Sequence, residues 1–387
     1  WLTFVLGQYP VSWIENAVAW ISRTLNLVMS PGPLKDLVAD GIVGGVGGVI
    51  VFLPNILILY FCISFMEDSG YMARAAFIMD KVMHRIGLHG KSFIPLIMGF
   101  GCNVPAIMAS RAIESRSSRI ITILINPFMS CSARLPVYVL LVGTFFPTHA
   151  ALIFMGLYIL GILVAMLTAR LLRRFLFKKD ETPFVMELPP YRLPTLRASL
   201  RHTWEKGKEY IRKMGGIILF ASIVVWALNY FPIHRQQSYA VTVVETMDDD
   251  IIDPSRDSYL EMMGKFINPV MKPLGFNWRA SVAALAGVPA KEIVVSTLGV
   301  LYTGDGADDS ERLGARLSSS TAGRQGFTPA VALSFMIFIL LYCPCLATVA
   351  AIARETGTWW YSLFSIVYNT AVAWLIAFAV YRIVLLL

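Results

Sequence analysis

A cysteine and an asparagine at a break in an apolar segment carry the first chemical signal of this sequence. Residues 92–110 are apolar, but Gly101 and Pro105 interrupt them around Cys102 and Asn103. In hydrocarbon every backbone N–H and C=O needs a partner, so a broken helix survives only inside protein or beside a wet cavity. A thiol and an amide at such a break can coordinate a metal ion. The alternative is a re-entrant packing element with a small buried cysteine.

Two other apolar runs are also interrupted at cysteines. Cys131 lies in INPFMSCSARLP, and Cys345 lies in LYCPCLA together with Cys343. Thiols suit Fe(II), Cu(I) or Zn(II) far better than Mg(II) or Ca(II), so we predict a soft to borderline metal site. Cys345 is favoured over Cys343 as the lining residue because it corresponds to Cys131 in the other half. The five cysteines contain no CxxC pair, which argues against a disulfide framework or structural zinc.

Other groups at the breaks are weaker candidates. Met129 is either a thioether ligand or a filler of the apolar core. Arg134 lies within a spanning segment and should face the bundle interior or water. Because proline has no N–H, the prolines at the breaks also predict free carbonyl oxygens. These would be the carbonyls of Gly101, Ile123, Leu285 and Leu340.

Three acidic residues complete the candidate set. Glu67 and Asp68 end an apolar segment, which predicts either a cytoplasmic exit for cations or a solvated helix end paired with Arg74. Glu292 follows Lys291 at a further break, and the pair predicts either a ligand or an internal ion pair.

The composition predicts an all-α polytopic membrane protein. Of 387 residues, 56% are hydrophobic and 15% are charged, and the mean hydropathy is +0.63; soluble proteins carry about 25% charged residues. Each long uncharged run is interpreted as a helix, since open strands cannot cross lipid. The predicted spans are residues 41–66, 150–169, 214–233, 325–353 and 356–381.

Charge predicts the topology. The net charge of +8 follows from Lys and Arg concentrated in residues 173–213, which we interpret as a cytoplasmic linker. The connection at 232–279 is acidic and should lie outside. This distribution is typical of membrane topology, and nucleic acid is not an expected partner. The chain starts at Trp1 within an apolar run, so we expect a fragment cut inside a first transmembrane helix, without a signal peptide.

The order of elements repeats. Each half contains a span, an amphipathic segment, a broken segment, an interrupted span and a final span, and Val104-Pro105-Ala106 matches Val288-Pro289-Ala290. The first copy enters from the basic side and the second from the acidic side, which predicts inverted repeats with a site at the midplane. The predicted domains are a truncated helix with an interfacial amphipathic helix at 1–40, a first repeat at 41–172, the linker at 173–213 and a second repeat at 214–387.

These motifs together resemble the transmembrane part of the ferrous iron transport protein B family, over nearly the whole chain. The segments that carry the resemblance are EDSGYMARAAFIMDKVMHRIGLHGKSFIPL, GFGCNVPAIMASR, PFMSCSARLPVY, TPFVMELPPY and LYCPCLATVAAIARETG. The two broken regions resemble the paired Gate domains of that family.

The resemblance implies Fe(II) as the transported substrate, crossing a prokaryotic cytoplasmic (inner) membrane along a pathway lined by Cys102, Cys131 and Cys345. It also implies an amino-terminal GTPase domain that these residues do not include, so GTP and Mg(II) are expected only through that domain. The chain itself is expected to be a transporter and not an enzyme. The expected partners are the lipid bilayer, the GTPase domain, small cytosolic accessory proteins of the ferrous iron system and a homo-oligomeric copy.

Alternative functions remain open from sequence. A nucleoside-type permease shares Gate folds but would need polar and aromatic groups at its site instead of three cysteines. A permease for another divalent metal would use the same thiols. A membrane thiol oxidoreductase would need a CxxC pair or a haem-spaced histidine pair, and neither appears within the spans.

Overall fold

The computed structural model describes residues 7–28, 32, 35, 37–176, 191, 194–230, 259–303, 313–314, 317 and 327–386. Within these ranges the regular elements are all helices, which confirms the all-α prediction. Three predicted features lie wholly or partly outside the described residues: the apolar start at 1–6, residues 177–190 of the basic linker and residues 232–258 of the acidic connection.

The α-helices are numbered here in chain order. They are α1 Gln8–Val28, α2 Gly45–Asp68, α3 Tyr71–Ile86, α4 Phe93–Gly99, α5 Asn103–Ala109, α6 Arg116–Ile125, α7 Leu135–Phe145, α8 Ala150–Phe175, α9 Leu196–Tyr230, α10 Tyr259–Met271, α11 Trp278–Ala286, α12 Ile293–Thr303, α13 Pro329–Leu341, α14 Leu346–Thr356 and α15 Trp359–Leu386. A π-helix, Leu37–Gly44, leads into α2.

Four stretches of the described chain are long and apolar enough to cross a membrane. They are Arg116–Phe145, Pro147–Phe175, Pro329–Thr356 and Trp359–Leu386. Most of Pro329–Thr356 is buried in the protein, whereas only 22% of the apolar window is buried in the second and in the fourth stretch. The interrupted α13–α14 span therefore forms the centre of the bundle, and α8 and α15 lie at its outside. The predicted spans at 41–66 and 214–233 overlap the long helices α2 and α9.

Each of two short helix pairs folds back on itself as a hairpin. α4 packs on α5, and α11 packs on α12. These pairs are the two predicted broken segments, and the structure confirms that both are broken. Neither half is longer than about two or three turns, far short of the roughly 20 residues that a spanning helix needs. Both hairpins are therefore re-entrant elements that must be enclosed by protein.

Each hairpin packs against the interrupted span of the other half of the chain. α5, from the first hairpin, packs on α14 of the second interrupted span, and α12, from the second hairpin, packs on α7 of the first. The two breaks are therefore brought together in the protein interior. This crossed contact positions the candidate site.

The amino-terminal helix packs against α2. A Cβ built on Gly47 would lie 2.6 Å from Val18 Cγ1, so the glycine allows α1 to approach closely. Trp13 and Trp20 on α1 are both exposed, as expected for an interfacial helix.

Candidate functional site

Each of the three candidate cysteines directly precedes a helical turn. Cys102 precedes α5, Cys131 precedes the 3₁₀ turn that leads into α7, and Cys345 precedes α14. All three have extended backbone, and no side-chain cap is formed at any of these helix starts. The thiols thus stand at the amino-terminal ends of half-helices, where backbone N–H groups of the first turn lack helical partners.

Backbone hydrogen bonds hold each cysteine beside a hairpin. In the first half, the N–H of Ser132 donates to the carbonyl oxygen of Gly101 at 3.2 Å, and the Ser132 hydroxyl donates to the same oxygen at 2.9 Å. In the second half, the N–H of Leu346 donates to the carbonyl oxygen of Val288 at 3.2 Å. Ser132 and Leu346 each follow a candidate cysteine, so the two halves use the same contact. Sequence reasoning missed Ser132, whose place after Cys131 was its only signal.

These bonds correct the predicted register of the two hairpins. They make Gly101 equivalent to Val288, and the ends of α4 and α11, Gly99 and Ala286, are related in the same way. The predicted match between the two Val-Pro-Ala triplets is therefore wrong by three residues. In either register Cys102 has no cysteine counterpart, so the first half supplies two candidate thiols and the second supplies one.

Packing contacts bring the three thiols into one region of the protein. Cys131 lies beside Cys102, because the residue after it, Ser132, donates two hydrogen bonds to the carbonyl oxygen of Gly101. Cys102 and Cys345 also pack on the same apolar cluster between α5 and α14. Among the residues that the structure describes, no group of three or more His, Cys, Asp or Glu side chains is tight enough to enclose a metal ion. The thiols converge without forming a closed cage.

Of the two cysteines in LYCPCLA, Cys345 is the less enclosed. Cys343 is buried, with 7% of its surface exposed, whereas Cys345 is partly exposed. The Cys345 sulfur lies 3.1 Å from the hydroxyl of Thr348, a contact that the sequence did not suggest.

Asn103 ties the first hairpin to the first interrupted span. With its amide nitrogen facing these acceptors, the side chain donates to the backbone oxygens of Gly99 and Asn126, both at 3.2 Å. Asn103 is 5% exposed. Because its donor is used in holding the backbone, only its amide oxygen is left for a ligand.

Two glycines of the first hairpin permit close packing. A Cβ on Gly99 would lie 2.4 Å from the side-chain oxygen of Asn126 and 3.0 Å from Met129 Cβ. A Cβ on Gly101 would lie 2.5 Å from Leu59 on α2. Met129 is 3% exposed and belongs to the main apolar core, so its side chain has the packing role that was the alternative to ligation.

Two buried cations lie beside the cysteine loops. Arg134 is 1% exposed, as predicted for a cation facing the bundle interior, and it donates to the backbone oxygens of Pro127 and Met129, both at 3.0 Å. Lys291 is 2% exposed and donates to the backbone oxygen of Cys343 at 2.6 Å. Lys291 Nζ also lies 3.3 Å from the ring centre of Tyr342.

The ion pair considered between Lys291 and Glu292 is not formed. The ion pairs found among the described residues involve neither side chain. Glu292 follows Lys291, whose amine donates to the carbonyl oxygen of Cys343 beside the second cysteine loop. It therefore stays a candidate ligand near the thiols.

Glu67 and Asp68 are exposed at the end of α2. The Asp68 carboxylate accepts long hydrogen bonds from Ser64 at 3.5 Å and from Ser199 on α9 at 3.4 Å. Arg74 donates instead to the backbone oxygen of Gly70, and its guanidinium lies 3.4 Å from the ring centre of Tyr191. The predicted pairing with Arg74 is therefore absent in the described part of the chain.

The predicted free carbonyls are partly occupied. Gly101 O accepts from Ser132, and Leu285 O accepts from the N–H of Val288 at 3.0 Å. The expectation that proline leaves these two oxygens without donors is wrong, because tight turns and the neighbouring span supply new ones. The thiols are therefore better placed to bind a metal ion than the carbonyl oxygens of Gly101 and Leu285.

Family models match most of the chain. The model described as Gate, nucleoside recognition, matches residues 49–145 and 211–359. The model described as ferrous iron transport protein B C terminus matches residues 154–206. No solved structure matches the chain significantly.

Curated relatives are similar over nearly all of these residues. A Fe(2+) transport protein A/Fe(2+) transporter FeoB fusion protein from Porphyromonas gingivalis is 55% identical, covering 98% of this chain and 48% of the relative. A Fe(2+) transporter FeoB from Staphylococcus aureus is 45% identical, covering 90% of this chain and 49% of the relative. A Fe(2+) transporter FeoB from Methanocaldococcus jannaschii is 40% identical, covering 98% of this chain and 54% of the relative. The chain spans about half the length of these relatives.

Proposed function

Because the chain belongs to the ferrous iron transport protein B family, we propose that it carries Fe(II) across a prokaryotic cytoplasmic membrane. The pathway runs between the two halves and is lined by Cys102, Cys131 and Cys345. The relatives bear the name Fe(2+) transporter, and the long apolar helices suit a multi-pass membrane protein.

The observation that carries this proposal is the convergence of three thiols at the starts of half-helices. Cys102 comes from the break in the first hairpin, and Cys131 and Cys345 come from the breaks in the two interrupted spans. Discontinuous helices at the meeting of two repeats are where secondary transporters bind their substrates. Thiolates are soft donors that suit Fe(II) and disfavour Mg(II) and Ca(II).

An open arrangement favours passage. Structural metal sites close four ligands around the ion, whereas conduction needs sites that are weak or used in sequence. The described residues contain no closed cluster of three acidic, histidine or cysteine side chains. In this proposal Fe(II) passes from thiol to thiol, with Glu292 and the amide oxygen of Asn103 as additional donors. Met129 is the weakest candidate because its side chain packs in the core.

The two halves are proposed to be inverted repeats. The basic residues near Arg111 and in the linker support a cytoplasmic position for the ends of α5 and α14. The contact of α12 with α7 then lies toward the outside. Glu67 and Asp68, exposed at the end of α2, form the cytoplasmic exit for the cation in this orientation.

Coupling to GTP is proposed for the complete protein. The amino-terminal GTPase domain, with GTP and Mg(II), is proposed as the partner that controls passage through this chain. A small cytosolic accessory protein is a second proposed partner, supported by the Porphyromonas gingivalis relative that is named as a fusion with Fe(2+) transport protein A. Homo-oligomers and surrounding lipid complete the proposed assembly.

The test is a flux measurement on the complete protein in liposomes. We expect Fe(II) to enter the vesicles when the protein is present, and entry to increase with GTP. Uridine uptake without Fe(II) entry would support a nucleoside permease instead. This alternative is tested because the matching Gate model is described as nucleoside recognition. Redox turnover in detergent, without Fe(II) entry into vesicles, would support a thiol oxidoreductase.

A further inference from the structure

Two buried cations meet equivalent backbone positions in the two halves. Arg134 donates to the carbonyl of Met129, two residues before Cys131. Lys291 donates to the carbonyl of Cys343, two residues before Cys345. The cations come from different elements, since Arg134 follows its own loop and Lys291 reaches across from the second hairpin. The two side chains come from unrelated sequence positions but bond to equivalent carbonyl oxygens, which indicates that the two contacts have the same role.

Neither cation is held by a carboxylate. The ion pairs among the described residues do not include Arg134 or Lys291. Their partners are the carbonyl oxygens of Pro127, Met129 and Cys343, together with the ring of Tyr342. Burying a cation is unfavourable, and a well-packed apolar residue of similar size would often serve stability equally well. Two such charges beside the thiols therefore point to a role beyond packing.

The carbonyls that these cations occupy are the oxygen ligands that an unwound helix would otherwise present. Backbone carbonyls are the donors that hard cations such as Mg(II), Ca(II) and Mn(II) prefer. With Arg134 on Pro127 and Met129, and Lys291 on Cys343, these oxygens are engaged by N–H donors. The loops that contain Cys131 and Cys345 then present thiol sulfur atoms to a metal ion in preference to carbonyl oxygens.

We propose that Arg134 and Lys291 set the metal selectivity of the pathway by withdrawing these carbonyl oxygens and by adding positive charge beside the thiols. This inference rests on the proposed transport function. The Arg134 guanidinium repels every divalent cation alike, and the Lys291 amine adds to that repulsion in its protonated form. An ion that bonds well to sulfur, such as Fe(II) or Co(II), compensates for that repulsion, whereas Mn(II) and Mg(II) gain little from sulfur and are excluded.

The decisive variant is Lys291→Met, which removes the charge, keeps an unbranched side chain and frees the Cys343 oxygen. We expect the ratio of Mn(II) to Fe(II) flux in liposomes of the complete protein to rise about tenfold, in line with the loss of one charge-assisted hydrogen bond. Lys291→Arg keeps a donor and a charge, so it should return the ratio toward that of the unmodified protein. Lys81→Met makes the same chemical change at an exposed site on α3 and should leave the ratio unchanged.

A second variant and a second readout keep the idea testable if Lys291→Met does not insert. Arg134→Lys keeps the charge but cannot donate to two carbonyls in the same planar geometry, so we expect a smaller rise in the Mn(II) ratio. Mn(II) binding to the purified variants in detergent, measured by electron paramagnetic resonance, should strengthen in the same order.

The possible failures are distinguishable. Absence of Fe(II) flux in the unmodified complete protein would defeat the transport proposal. Normal Fe(II) flux in the unmodified protein, with Mn(II) ratios and Mn(II) binding unchanged in Lys291→Met and Arg134→Lys, would overturn the selectivity role and leave transport intact.

Discussion

The Arg111 guanidinium makes two hydrogen bonds to the carboxylate of Glu355, a residue 244 positions further along the chain. The Nε–Oε2 distance is 2.6 Å, and the Glu355 side chain is only 9% exposed. This pair joins the carboxyl-terminal ends of α5 and α14, the two half-helices that directly follow Cys102 and Cys345. A bidentate, partly buried pair is stronger than an ordinary surface ion pair.

Replacing either partner of this pair should loosen the junction of α5 and α14. We expect a double-mutant cycle of Arg111→Ala and Glu355→Ala to give a coupling of about 1 kcal/mol in the free energy of unfolding. Thermal unfolding in detergent measures it. The pair Arg201 and Glu205 on α9, which is far more exposed, is the matched control and should couple more weakly. Equal coupling for the two pairs would contradict a special role for Arg111 and Glu355.

Loss of a lining thiol should reduce transport without loss of folding. We expect Cys102→Ser, Cys131→Ser and Cys345→Ser each to lower Fe(II) flux about tenfold, equivalent to about 1.4 kcal/mol, because serine replaces a soft donor with a hard one. The measurement is Fe(II) uptake into liposomes at matched protein content. Cys62→Ser, which removes a thiol from α2, should retain full flux. Unchanged flux in the Cys102→Ser, Cys131→Ser double variant would rule out the thiol pathway.

Close packing at the first hairpin should make Gly99 intolerant of a side chain. A Cβ there would lie 2.4 Å from the Asn126 oxygen and 3.0 Å from Met129. We expect Gly99→Ala to destabilise the protein by about 1–3 kcal/mol through overpacking. Gly156→Ala on α8 has no heavy atom within 4 Å of the added Cβ, so it should be neutral or slightly stabilising. Thermal unfolding of both variants makes the comparison, and similar midpoints would contradict the packing geometry.

His89 predicts a pH dependence of stability outside the spanning segments. Burial lowers the pKa of His89 below its ordinary value, and Lys91 lowers it further, against smaller opposing effects of Asp80 and Glu114. Its ring also accepts a hydrogen bond from the Lys91 N–H at 3.2 Å, which requires an unprotonated nitrogen. The unfolded chain therefore binds the proton more readily, and stability should fall as pH drops through the unfolded pKa near 6.5.

The check is thermal unfolding from pH 8 to pH 5 for the unmodified protein and for His89→Asn. Asparagine can still accept a hydrogen bond from a backbone N–H but does not titrate. The variant should lose less stability over this range. An identical pH profile for the two proteins would remove His89 as the cause.

Much of the site follows from local sequence. Gly101 and the CPC segment lie at breaks between helices, whereas Pro105 lies in the first turn of α5, where a backbone N–H would have no helical partner. The positions of Cys102, Cys131 and Cys345 at the breaks were therefore predictable. So was the burial of Arg134, since an arginine in a spanning segment must face the interior or water.

Side-chain partners were less predictable. Lys291 and Glu292 are sequence neighbours, yet adjacent side chains seldom face each other, and no ion pair forms between them. The three-residue error in matching the hairpins arose because a short identity in sequence carries no information about which carbonyl meets which N–H.

The sequence by itself thus determined the membrane class, the broken elements and the cysteines, since these depend on composition and on local backbone chemistry. Only the tertiary structure decided that Ser132 joins Gly101, that Lys291 reaches Cys343 and that Arg111 meets Glu355. Those contacts join segments far apart in the chain, and their geometry depends on how the hairpins and interrupted spans pack across each other. The spacing of residues along the sequence therefore does not predict these contacts.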